Sequence, residues 1–187
     1  MEVVGKSSKI EKIIKLILIT LTGTILITIS AKVKIPFYPV PMTMQTFVIL
    51  LMGITLGNKI GFATVALYLL EGIVGLPVFA SSPEKGIGIT YFIGPTMGYL
   101  IGFLAAVYIA GSFSYDKGII NTFLKLIFSV SFIYILGLIW LGILIGWDKP
   151  IFKLGAQPFL LAELFKILLL LILIPKLLKF RKLFKIT

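Results

Sequence analysis

Six apolar runs, separated by Gly, Pro and Lys, follow one another along this chain of 187 residues. They fall at 13–31, 43–56, 60–74, 94–113, 119–146 and 158–178. A helix that crosses a bilayer needs about 20 mainly apolar residues, so six crossings use roughly 120. Short connections and two basic tails remain, with no room for a soluble domain. The second and third runs are short and punctuated by glycine. The expectation is an all-α integral membrane protein: one domain over residues 1–187 with six transmembrane helices. Composition agrees, because the chain is 59% hydrophobic and 13% charged. Soluble domains run at about 45–50% and about 25%.

Charge gives the orientation. The formal net charge is +11, from 18 Lys and Arg against seven Asp and Glu. Lys6, Lys9, Lys12 and Lys15 sit at the start, and Lys176, Lys179, Arg181, Lys182 and Lys185 at the end. Lys59, Lys117 and Lys125 fall on the same side of a six-span topology, while Lys32, Lys34, Lys85, Lys149 and Lys153 fall opposite. By the positive-inside rule both termini are cytoplasmic. Residues 13–31 exceed a typical signal-peptide core of about 7–15 residues, and Ile29-Ser30-Ala31 is a poor cleavage site, so no cleaved signal peptide is expected. The basic tails suit a surface of anionic lipid. Nucleic acid is not expected as a partner.

The absence of Cys and His removes disulfides, thiol nucleophiles, the commonest general base and most transition-metal ligand sets. No phosphate-binding glycine loop is visible. Neither a cofactor nor a metal site is expected, and an enzyme is not the favoured reading.

The outward loops are long and apolar. Lys32–Met42 holds Pro36, Pro39 and Pro41, which favour a stiff extended path. Gly75–Ile93 carries Leu76, Val78 and Phe79. Such residues either rest at the lipid interface or fold over the mouth of the bundle as a lid, and unequal loop length favours the lid. Charge inside an apolar run costs about 2.5–3.5 kcal/mol at the bilayer centre. Glu163 and Lys166 stand three residues apart in the last run, on one helix face and within reach of each other. They form either a self-neutralising pair or the polar floor of a ligand pocket. Glu71 lies near the outer end of its helix, where it either snorkels to the interface or supports the pocket from beside it. Thr20, Thr24 and Thr28 with Gly23, and Gly94, Gly98 and Gly102, are small-residue stripes suited to close helix packing. Tyr99 adds a ring and hydroxyl near the outer mouth.

Ile35-Pro36 and Pro39-Val40-Pro41-Met42-Thr43-Met44-Gln45-Thr46 resemble the PVPxTxQT signature of the BioY family. Tyr68–Ala80 is similar to its YLxxGxxGLPVFA segment, and Gly94–Phe103 to its GPTGGYLxGF segment. The blocks come in family order across most of the chain. The resemblance implies the biotin-capturing S component of an energy-coupling-factor (ECF) transporter, a six-helix fold whose outward loops cap the pocket. It also implies a transmembrane T component and two cytoplasmic ATPases as partners. Carried onto this chain, it implies substrate contacts at Glu163, Lys166, Tyr99, Ser82, Phe79 and Gln45, and T-component contacts near Thr24 and Thr28. The last segment departs from the family's PFxxGDxxK: Ala162 and Glu163 replace Gly and Asp, keeping charge and spacing. The alternatives are an S component for a different vitamin and a membrane-embedded enzyme using Glu163 and Lys166.

Overall fold

Helix is the one structure in which each of these runs satisfies its own backbone groups within hydrocarbon. A computed structural model describes residues 9–38 and 42–183, and of Phe180, Lys182 and Leu183 the backbone alone. Pro39, Val40 and Pro41 lie outside the described residues, as do Glu2, Lys6 and Lys185. The helices are α1 (Lys9–Lys32), α2 (Gln45–Ile73), α3 (Gly88–Phe92), α4 (Met97–Ser112), α5 (Ile119–Ile145), α6 (Ile151–Gly155) and α7 (Leu160–Leu183). Two short strands, β1 (Lys34–Ile35) and β2 (Met42–Thr43), pair antiparallel between α1 and α2. Four helical stretches among the described residues are long and apolar enough to cross a membrane: Lys9–Lys32, Gln45–Ile73, Ile119–Ile145 and Ile151–Lys179. Met97–Ser112 is apolar but shorter.

The α2 segment is a helical hairpin. Gly57 has φ 79° and ψ 178°, a conformation open to glycine and strained for other residues. Gln45 Nε2 hydrogen-bonds the Tyr68 hydroxyl at 2.9 Å, whereas one straight helix would hold residues 23 apart at ~35 Å. The expected second and third runs are thus the two arms, 45–56 and 58–73. Elsewhere the expected runs shift modestly. The first helix starts earlier, at Lys9, because lysines in a first turn reach the interface. The fourth run is α4 alone, starting three residues late at Met97, with α3 in the loop before it, and the last is preceded by α6 and a 3-10 turn over Gln157–Phe159.

Glycine sets the closest approaches. A methyl group on Gly53 would stand 2.6 Å from Val107 O, and one on Gly102 would stand 2.6 Å from Ile133 Cα. So α4 lies directly between α2 and α5. The face expected of Gly98 and Gly102 packs on α5, while Gly94 stays in the preceding turn, its carbonyl accepting Trp140 Nε1 at 2.9 Å.

The C-terminal end of α4 meets the Gly57 turn. Its last carbonyls and those of the two residues after it have no helical partner, and side chains take several of them. Arg181 donates to Gly111 O (2.8 Å) and Phe113 O (3.2 Å), Tyr115 to Ala110 O (2.7 Å), and Lys125 to Ser114 O (2.6 Å). Burial pushes the Tyr115 hydroxyl above its ordinary range, and Arg181 opposes that shift. Lys9 and Lys12 lie beside Ile60 at this same end. The first turn of α1 and the last turns of α7 therefore share one end of the bundle.

Candidate functional site: a buried ion pair under two loops

At the opposite end, α7 begins with Leu160-Leu161-Ala162-Glu163. Ala162, Glu163 and Lys166 turn inward, and Glu163 and Lys166 are 5% and 4% exposed. Lys166 Nζ lies 2.7 Å from Glu163 Oε1. Thr46, in the first turn of α2, completes the arrangement: its hydroxyl donates to Glu163 Oε1 at 2.7 Å and accepts from Lys166 Nζ at 2.9 Å. The carboxylate thus sits in the first turn of its own helix and against the first turn of another, where helix dipoles favour negative charge. Tyr134 of α5 flanks Glu163 and meets the Tyr99 ring edge-on at 6.2 Å.

Counting donors and acceptors shows what the pair can still do. Glu163 Oε1 is used twice, whereas Oε2 is buried without a hydrogen-bond partner. An ammonium has three N–H donors. Thr46 and Glu163 occupy two of those on Lys166. Glu163 Oε2 remains as a buried acceptor on the carboxylate that Tyr134 flanks. A buried polar atom without a partner is uncommon enough to need an explanation, and a ligand N–H supplies one.

Both loops fold down on this end. Phe37, between β1 and β2, approaches Phe165 at 6.3 Å between ring centroids. In the second loop Phe79 is 1% exposed. It stacks on Tyr91 at 5.1 Å and meets Tyr68 edge-on at 5.6 Å. Tyr68 donates to Val78 O at 3.1 Å. Ser82 is buried, its hydroxyl on Phe79 O at 2.8 Å, while Lys32 Nζ holds Ser82 O and Oγ. Val78 and Phe79 cap the bundle as a lid would, whereas Tyr38 and Leu76 stay exposed and fit the interfacial reading.

The structure joins Glu163 to Lys166 as expected and places the other named residues differently. Gln45 is adjacent to Thr46, but its side chain serves Tyr68. The Tyr99 hydroxyl is taken by Gly155 O at 2.8 Å. Ser82 and Phe79 belong to the loop's own packing. Glu71 does more than snorkel: its Oε1 accepts the Thr24 hydroxyl at 3.0 Å. Thr24 is 2% exposed, so this part of the α1 stripe packs within the bundle and is not open to a partner. Thr28, half-buried, donates to Thr24 O at 2.8 Å. Thr46 and Tyr134 were missed. Thr46 stood inside the Pro-rich motif next to Gln45, and Tyr134 is a hydroxyl within an apolar 27-residue helix.

A helical, apolar bundle that buries one ion pair beneath two capping loops is the architecture of a membrane protein built to hold a small polar molecule. The chain belongs to the BioY family, whose model matches residues 5–183. It is 36% identical over 141 residues to a probable biotin transporter BioY of Pyrococcus horikoshii, covering 75% of this chain and 82% of the relative. It is 36% identical over 145 residues to the biotin transporter BioY of Thermotoga maritima, covering 77% and 84%. A crystal structure of the S-component for biotin from an ECF-type ABC transporter superposes with TM-score 0.73 at 25% identity, covering 92% of this chain and 94% of that one.

Proposed function

We propose that this chain is the biotin-binding S component of an ECF-type transporter. The observation that carries the reading is Glu163 Oε2, a buried acceptor without a hydrogen-bond partner on the carboxylate that pairs with Lys166 Nζ. Biotin's ureido ring presents an N–H, which matches that acceptor, next to a C=O for the Lys166 ammonium. Charge-assisted hydrogen bonds of this kind are the stronger class. The bicyclic ring packs on aromatic surface from Tyr99 and Tyr134, and Phe79 acts through the loop it packs. Gln45 acts through Tyr68, and Ser82 through the loop it anchors.

In this reading the chain is a single domain that crosses the membrane six times. The two arms of α2 cross separately, and α1, α4, α5 and α7 make the other crossings. The end holding Lys9, Lys59, Lys125 and Arg181 faces the cytoplasm of a plasma-membrane protein, and biotin enters from outside under the two loops. The chain binds its ligand and does not transform it. ATP hydrolysis belongs to a cytoplasmic ATPase pair, coupled through a T component that meets α1 near Thr28, and release follows when the whole subunit tilts.

Calorimetric titration of the purified protein with biotin, riboflavin and thiamine tests the ligand. Tight binding of biotin alone is the expected result. Binding of another vitamin with biotin ignored would make the chain a sister S component. Chemical conversion of any of them would make it an enzyme.

A further inference from the structure

Between the second outer loop and the ion pair stands one buried hydroxyl, that of Tyr68 on the returning arm of α2, a residue 0% exposed. It accepts Gln45 Nε2 at 2.9 Å and donates to Val78 O at 3.1 Å. Gln45 is followed by Thr46, whose hydroxyl meets Glu163 Oε1 at 2.7 Å and Lys166 Nζ at 2.9 Å. One continuous series of bonds therefore runs from the loop, through Tyr68, Gln45 and Thr46, to both charges. We infer that Tyr68 is a positioning residue: its hydroxyl couples seating of the loop over residues 76–82 to placement of Thr46 against Glu163 and Lys166. The inference rests on the ion pair being the ligand site, and it makes ligand binding and loop seating assist each other by one common factor.

Three observations support it. Gln45 and Thr46 open α2, whose N-cap residue Met44 makes no side-chain capping bond, and the first N–H groups of a helix have no partner within it. Their side chains, about 100° apart around the axis, are tied to different neighbours, so a shift of one carries the other. On the loop side, Phe79 follows Val78 and lies edge-on to the same Tyr68 ring at 5.6 Å. A methyl group on Gly72 would overlap the Phe79 ring, so α2 offers the loop a fitted seat one turn beyond Tyr68. The far side of the loop has its own tie, Lys32 Nζ on Ser82 O and Oγ. Loss of the Tyr68 bond should thus loosen the stretch around Val78 without unfolding the loop.

The test is hydrogen exchange by mass spectrometry on peptides covering 76–82, with biotin titration, for wild type, Gln45→Met, Tyr68→Phe and the double variant. Gln45→Met leaves every atom of the loop in place and keeps Tyr68 on Val78 O. It should nevertheless speed ligand-free exchange in 76–82 about 2- to 12-fold, one hydrogen bond's worth, and weaken biotin binding by a similar factor. Peptides of α5 should exchange as in wild type. The double variant should bind no more weakly than the weaker single one, since both cut the same series, whereas independent packing defects would add. Where Tyr68→Phe, which strands the Gln45 amide, does not stay monodisperse, Gln45→Met decides alone. Unchanged ligand-free exchange of the loop in folded Gln45→Met would overturn the inference, as would additive losses in the double variant. A wild type that ignores biotin would refute the ligand instead, and the ligand-free exchange would still decide the coupling.

Discussion

Removing the charge of Lys166 separates what the ion pair does for the fold from what it does for a ligand. Lys166→Met keeps the length of the side chain and leaves Glu163, 5% exposed, without its cation. Breaking one side of a buried pair costs about 3–5 kcal/mol because the remaining charge is stranded. In a chain of this size each kcal/mol moves the midpoint by about 2–4 °C, so the variant should melt roughly 6–20 °C lower. Glu163→Gln combined with Lys166→Met strands nothing, and neutral replacement of a buried pair is often neutral or stabilising. The double variant should therefore recover most of the lost stability. Its biotin affinity should not recover. Hydrogen bonds to charged groups contribute about 1.5–3 kcal/mol each, so losing even one weakens binding about 10- to 150-fold. Thermal unfolding in detergent and calorimetric titration of all three proteins give both readouts. A stable double variant that binds biotin like wild type would refute the reasoning, leaving the pair a device of packing alone.

Three further outcomes are expected. Thr46→Val deletes the hydroxyl that touches both charges and should weaken biotin binding about tenfold, one charged hydrogen bond's worth, while Thr46→Ser restores it; titration of the two variants checks this. A biotin analogue whose ureido oxygen is replaced by a protonated imine presents a donor to Lys166 and should bind far more weakly at pH 6 than at pH 9, where less of it is protonated; affinity that does not change with pH would count against the donor assignment. Gly53→Ala drives a methyl against Val107 O, 2.6 Å away in the present geometry, and should destabilise by about 1–3 kcal/mol, seen as a lower unfolding midpoint with little change in ligand selectivity.

The ion pair was legible because both partners lie on one helix, where three-residue spacing alone brings them together. Thr46 was not, since it acts on residues 117 and 120 positions away, and no local pattern announces that contact. The Gly57 turn was half legible. Two short runs divided by Gly57-Asn58-Lys59 implied separate helices, and the return path followed. The α1 stripe shows the opposite limit: small residues spaced by four suit any close neighbour, and here Gly23 and Thr24 meet α2. Glu71 had an interface within reach of its side chain, yet Thr24 stood closer. Loop residues divided for a similar reason. Phe79 found an aromatic niche made by Tyr68 and Tyr91, while Tyr38 is 87% exposed among the described residues.

Placing acid and base on one helix also has an electrical consequence. An isolated charge moved across the membrane field works against about 2.3 kcal/mol per 100 mV. Glu163 and Lys166 travel together 2.7 Å apart, so any tilt of the subunit carries their charges as a sum of zero. Reorientation of this site therefore moves a short dipole and no net charge, so its coupling to the membrane voltage is a small fraction of a lone charge's.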